Sequence, residues 1–191
     1  MMGTYHMARR RRVNGRNFTL RRRTELPPDM PEPLGNPVQQ TVFVDASHAA
    51  NLVTRQSRTG VLIFLNRAPI IWYSKKQNSI ETSSFGSEFM ALKTGFELLI
   101  GLRYKLRMMG VPLDGPAHVK VDNMSVVKNT SVPESTLKKK SNSIAYHFTR
   151  SCAAADIGRV TYESTETNIA DMLTKTQSGV TRQKLASYVL R

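Results

Sequence analysis

Four carboxylates hold the chemical potential of this chain: Asp45, Glu88, Asp122 and Asp171. Asp45 closes the run Thr41-Val42-Phe43-Val44-Asp45, in which Val42 and Val44 alternate with Thr41, Phe43 and Asp45. That alternation predicts a strand with one aliphatic face and an acid on the other. Glu88 falls in a long helical pattern, Asp122 at the end of another strand pattern, and Asp171 near the start of a late helix. A strand Asp, a helix Glu, a strand Asp and a helix Asp meeting at one point can hold two divalent cations. Each acid also has a structural alternative. Asp45 could form a turn, Glu88 could favour the positive end of a helix, Asp122 could cap a helix, and Asp171 could be the acid of a capping box.

The elements that must position these acids follow from hydrophobic period and turn residues. The first strand spans about 41–46. Gly60 to Leu65 and Ala68 to Ser74 read as a hairpin turning at Asn66-Arg67, with Trp72 and Tyr73 as packing residues and Lys75, Lys76 and Gln77 at its end. A helix over roughly 84–109 follows. Thr82, Ser83 and Ser84 are its cap candidates, and Gly110 and Pro112 stop it. Phe89, Leu92, Phe96, Leu99, Leu102 and Leu106 form its buried stripe. Residues 117–122 predict a fourth strand, with a short helix after Asn123. A helical segment over 137–155 carries Ile144, Phe148 and Cys152 at intervals of four. Gly158 to Tyr162 is a last strand, and 180–190 a terminal helix with Leu185, Tyr188 and Val189 on its apolar side. This order predicts an α/β protein with a five-stranded mixed sheet around strand 41–46 and helices packed on it.

Composition narrows the function. The chain is long enough for one domain with a sizeable core, and no run of eighteen apolar residues or signal-peptide core is present. The expected setting is intracellular, in nucleus or cytoplasm, with no membrane partner. One cysteine, Cys152, excludes an internal disulfide and a multi-cysteine zinc site. Residues 1–23 hold eight arginines and no acid, so more than half of the net charge of +14 lies in that stretch. Like-charge blocks followed by Pro27, Pro28, Pro31, Pro33 and Pro37 predict a disordered basic and Pro-rich arm and linker over 1–39. The folded domain is expected over 40–177 and a C-terminal helix over 178–191. A positive field around an acidic cluster suits a polyanion held by its phosphates and cut at a metal centre.

Several blocks together resemble the ribonuclease H domain of copia-type LTR-retrotransposon Pol polyproteins. They are Phe43-Val44-Asp45-Ala46-Ser47-His48-Ala49, Pro69 to Gln77, Ser83 to Phe89, Val121-Asp122-Asn123-Met124-Ser125 and Ala170-Asp171-Met172-Leu173-Thr174-Lys175. The resemblance covers about residues 27–178. It implies a ribonuclease H-like fold and a two-metal endonuclease acting on the RNA strand of an RNA–DNA hybrid. Asp45, Glu88, Asp122 and Asp171 would be the catalytic, metal-binding carboxylates for two Mg²⁺ ions, with Mn²⁺ as a substitute. Asp45 would serve both ions, Asp171 the nucleophile side, and Glu88 and Asp122 the other. Ser84 and Asn123 are candidate contacts to the 2′-hydroxyl, with cap and turn roles as their alternatives. Lys75, Lys76, Lys138, Lys139 and Lys140 would hold phosphates. The implied partners are the hybrid and a reverse transcriptase domain of the parent polyprotein.

Two positions depart from the family pattern. Met124 stands where Gln or Glu is common, and Ser141 where His is common. The chain also lacks the Tyr-x-Asp-Asp polymerase motif. The competing expectation is therefore a catalytically inactive relic that only binds nucleic acid. An integrase or transposase core fits less well, because those sites close with a late Glu.

Overall fold

The computed structural model describes residues 31–51, 53–132, 134, 135, 137 and 142–189. The arginine blocks of the arm, Lys138 to Lys140 and Ser141 lie outside the described residues. The remainder forms a five-stranded sheet with helices on both faces, as the sequence pattern predicts.

The strands are β1 (Gln40–Ser47), β2 (Arg58–Leu65), β3 (Ala68–Lys76), β4 (Ala117–Val121) and β5 (Gly158–Tyr162), in the order β3-β2-β1-β4-β5. β1 is thus central, antiparallel to β2 and parallel to β4. The hairpin of β2 and β3 turns at Asn66, whose φ of 54° suits Asn better than a branched residue. β4 and β5 are also parallel, with α2 (Met124–Ser131) and α3 (Ser143–Ala154) in the connection between them.

The predicted alternation sorts the side chains to the two faces. Val42, Val44, Val61 and Ile63 point to one side and meet α1 (Ser84–Met108) through Phe89, Leu92, Phe96 and Leu99. Leu62 and Phe64 point to the other side. There they form a smaller core with Ile169 of a 3-10 helix (Ile169–Leu173) and Leu185 of α4 (Gly179–Val189). Phe43 packs edge-on against Phe64 in that layer, with ring centroids 5.9 Å apart. The far end of α1 is fixed by a polar clamp. Buried Arg103 donates to Gln40 Oε1 at 2.6 Å and to the Gly115 carbonyl at 3.0 Å, tying the helix to the start of β1.

The end of the expected linker is tied down as well. Leu34 N–H donates to the Gly110 carbonyl at 2.8 Å and Val38 N–H to that of Pro112 at 2.9 Å.

Two expectations are corrected. Trp72 is not a packing residue but 71% exposed, because β3 is an edge strand and only Ile71 and Tyr73 face the α1 layer. Ile144 is also exposed and Phe148 is only partly buried, while Cys152 is buried as expected; α3 turns Ala145, Tyr146 and Thr149 inward beside it. Asp171 lies in the first turn of a late helix, as expected, and that helix is of the 3-10 type. Among the described residues no helix is long and apolar enough to cross a membrane.

Candidate active site

Parallel pairing of β1 and β4 brings the first two acids together. The last residue pair of that register is Val44 with Val121, so Asp45 and Asp122 are the next residues on adjacent chains. Glu88 arrives from the α1 side, one turn into the helix. Oxygens of Asp45, Glu88 and Asp122 all lie within 4.8 Å of one another. Asp171 approaches from the opposite face, on the 3-10 helix. Lys175 links it to the group, donating to Asp171 Oδ1 and, at 3.5 Å, to Asp45 Oδ1.

The structural alternatives do not describe these side chains. Asn123, not Asp122, caps α2, accepting from Ser125 N–H at 3.0 Å and Val126 N–H at 3.3 Å. The Asp122 carboxylate instead accepts from Thr165 Oγ1 at 3.0 Å. The 3-10 helix is capped by Asn168, and the Asp171 carboxylate is engaged by Lys175 and Gln177. No acid stands in the first turn of α1, so Glu88 gains little from the helix end.

Four acids around one point are costly without cations. Burial pushes Asp45 up to about 6; the Thr174 hydroxyl and Lys175 oppose this, and the charges of Asp122 and Asp171 add to it. Glu88 is pushed up to about 9 by burial first and then by Asp45 and Asp122. Its Oε2 is buried and has no hydrogen-bond partner among the described residues. A buried, partnerless carboxylate oxygen beside two other acids suits a divalent cation, whose hard charge prefers oxygen ligands. The donor set of three carboxylates therefore fits Mg²⁺ or Mn²⁺.

These raised values set an expected pH response. In chelator, the folded chain keeps protons on Asp45 and Glu88 that the unfolded chain has already released. Their stabilising contribution is complete below the ordinary carboxylate values and is lost as pH rises through about 6 and then about 9. The metal-free melting midpoint should fall across that window. Glu88→Gln should flatten the upper part and raise the midpoint at pH 8, by roughly 2–4 °C for each kcal/mol relieved. Thermal denaturation in chelator from pH 5 to 9 checks this; an unchanged slope in the variant would contradict it.

The other expected site residues are placed as follows. Lys75 and Lys76 are exposed at the end of β3, opposite Thr59 and Arg58 of β2. That is the sheet end that carries Asp45, two strands away. Ser84 is exposed as the first residue of α1, and Ser83 is the cap, accepting from Gly86 N–H at 3.2 Å. Asn123 is the α2 cap described above.

Five neighbours of the acids take roles that the sequence alone does not assign. Thr174 donates to Asp45 Oδ2 and Gln177 to Asp171 Oδ2, alongside Lys175. Buried Asn168 donates to the Val44 carbonyl at 2.9 Å, fastening the late segment to the central strand. Thr165 holds Asp122. Three of them left a signal: Thr174 and Lys175 stand three and four residues after Asp171, one helical turn away, and Asn168 stands three before it, at the cap position that it occupies.

The sheet order and flanking helices define a ribonuclease H-like fold. The N-terminal RNase H domain of a Mycobacterium tuberculosis protein matches with a TM-score of 0.54 at 15% identity, covering 78% of this chain and 97% of that one. LC11-RNase H1, solved in complex with RNA/DNA hybrid, matches with a TM-score of 0.57 at 17% identity, covering 71% and 94%. No family model matches the chain.

In sequence the chain is similar to retrovirus-related Pol polyproteins of plant transposons. It is 28% identical over 155 residues to that from transposon RE1 of Arabidopsis thaliana, covering 81% of this chain and 11% of the relative. It is 28% identical over 133 residues to that from transposon TNT 1-94 of Nicotiana tabacum, covering 70% and 10%. The chain thus spans about a tenth of the length of these curated relatives.

Proposed function

We propose that the chain is a metal-dependent endonuclease that cleaves the RNA strand of RNA–DNA hybrids, derived from a retrotransposon Pol polyprotein. The observation that supports this most is the convergence of Asp45 and Asp122, at the ends of parallel strands, with Glu88 of α1, whose buried Oε2 has no partner among the described residues. The fold and the transposon relatives are consistent with it.

In this reading Asp45, Glu88 and Asp122 hold one divalent ion, and Asp45 with Asp171 holds a second. When bound, the pair would lower the pKa of the attacking water and stabilise the leaving 3′ oxygen. The protein's own contribution is placement. β1 and β4 fix two carboxylates in register, α1 supplies the third from one face of the sheet, and the 3-10 helix supplies the fourth from the other. Thr165 orients Asp122 and Thr174 orients Asp45, so neither carboxylate must be organised on binding. Lys75 and Lys76 are proposed to hold backbone phosphates, and Ser84 and Asn123 to lie along the minor groove, where 2′-hydroxyls separate RNA from DNA. Asn123 Oδ1 already serves the α2 cap, which leaves its amide nitrogen as the group for substrate. A reverse transcriptase domain in the parent polyprotein is the proposed partner.

The test is cleavage of a labelled hybrid by the full chain with Mg²⁺, against the same mixture with chelator. Products ending in a 3′-hydroxyl and 5′-phosphate, formed only with Mg²⁺, are expected. Hybrid binding without cleavage would replace this reading with that of an inactive, nucleic-acid-binding relic.

A further inference from the structure

The two halves of the acidic site differ in how their oxygens are used. On the Asp45–Glu88–Asp122 side, Glu88 Oε2 has no partner among the described residues, and Asp122 is held by the single Thr165 hydroxyl. On the Asp45–Asp171 side every carboxylate oxygen is taken. Thr174 donates to Asp45 Oδ2, Lys175 to Asp45 Oδ1 and to Asp171 Oδ1, and Gln177 to Asp171 Oδ2. All of these donors come from one short segment immediately after the 3-10 helix.

Lys175 is more than a local ion pair. An Asp and a Lys four residues apart ordinarily pair on a surface and contribute little. Here the ammonium also reaches Asp45, a fully buried carboxylate on the central strand, 130 residues away in sequence. Its charge therefore stands between the two acids that a second divalent ion would have to share. Its side chain is 39% exposed, so a route to solvent is open for it to leave.

We propose that Lys175 is a built-in competitor for the second divalent cation: its ammonium fills the Asp45–Asp171 half of the site and must be expelled before an ion binds there. This rests on the metal-site reading above. The first ion has Glu88 and Asp122, which Lys175 does not contact, and meets the ammonium only at the 3.5 Å Asp45 contact. The second enters only at the cost of breaking both Lys175 contacts, so the two affinities are set apart by the protein itself.

The experiment is a Mn²⁺ titration of the full chain and of Lys175→Met, counting bound ions from the loss of the free Mn²⁺ paramagnetic resonance signal. Met keeps the apolar stem and removes the charge. The wild-type chain should bind one ion well ahead of the second. Lys175→Met should tighten the second site by about tenfold or more, because one competing charge is gone, and the first by clearly less, because only its Asp45 ligand touches Lys175. The variant should also melt lower than wild type in chelator, since Asp45 and Asp171 then repel without relief, and recover on adding Mn²⁺. Lys175→Gln, which keeps a donor, serves the same purpose if the Met variant folds poorly. Two ions bound with unchanged affinities in wild type and variant would overturn the role of Lys175 while leaving the metal site intact. No ion bound by either protein would overturn the metal site itself, and this proposal with it.

Discussion

Asp122→Asn should abolish cleavage while leaving the fold and hybrid binding in place. The substitution nearly preserves shape, and Asn can still accept from Thr165 at the position of Oδ2. It also cannot disturb the α2 cap, because Asn123 forms that cap alone. What it removes is one of three charges that converge within 4.8 Å. If these charges hold the ion, loss of cleavage on the order of a hundredfold to a thousandfold follows. Asp45→Asn should act in the same direction and more severely, since Asp45 sits between both halves of the site. Hybrid binding should persist or strengthen, because one fewer acid repels the phosphates. Cleavage and binding measured on the same preparations decide the matter. A fully active Asp122→Asn protein beside an active wild type would refute the assignment of Asp122.

The second large effect is expected at a residue with no chemistry of its own. Gly60 of β2 is the register partner of Asp45, and the 3-10 helix lies directly over it. A Cβ at Gly60 would stand 2.6 Å from Thr174 Cγ2, 2.9 Å from the Ala170 carbonyl oxygen and 3.0 Å from Leu173 Cβ. The Ala170 oxygen is backbone and cannot swing aside, so the whole 3-10 helix must lift. Asp171, Thr174 and Lys175 would move with it. Gly60→Ala should therefore cost about 1–3 kcal/mol of stability by overpacking and cut cleavage by about a hundredfold through misplacement alone. Gly101→Ala is the matched control. That glycine lies on the exposed side of α1 with nothing among the described residues within 4 Å of its would-be Cβ, so alanine there should stabilise by roughly 0.5–1 kcal/mol and leave cleavage unchanged. Equal activity of the two variants would show that the 3-10 helix does not position the site.

Both expectations depend on how α1 and the 3-10 helix clamp the end of the sheet from opposite faces. Exposed Trp72 stands outside that clamp. Its strand, β3, is paired on one side only, and the face it shares with Ile70 lies beyond the cover of α4. A strongly β-forming sequence such as Pro69 to Tyr73 gives no signal of where in a sheet it will sit. Burial depends on which strand pairs outside it, and that is settled by the whole topology.

The sequence alone determined what depends on local period and local chemistry. Alternation in Thr41 to Asp45 gave a strand that ends in an acid. The stripe from Phe89 to Leu106 gave α1 to within a residue at its end, and Asn66-Arg67 gave the hairpin turn. The four acids were legible because their blocks resemble a known pattern in order and spacing. What the tertiary structure decided is how those acids are shared out. The β1–β4 register sets Asp45 beside Asp122, and the two faces of the sheet deliver Glu88 and Asp171 from opposite sides. Thr165, Asn168, Thr174, Lys175 and Gln177 gained their roles only there. A hydroxyl, amide or ammonium has no period to read; its partner is whichever buried oxygen the folded chain places within reach, here as far as 130 residues away.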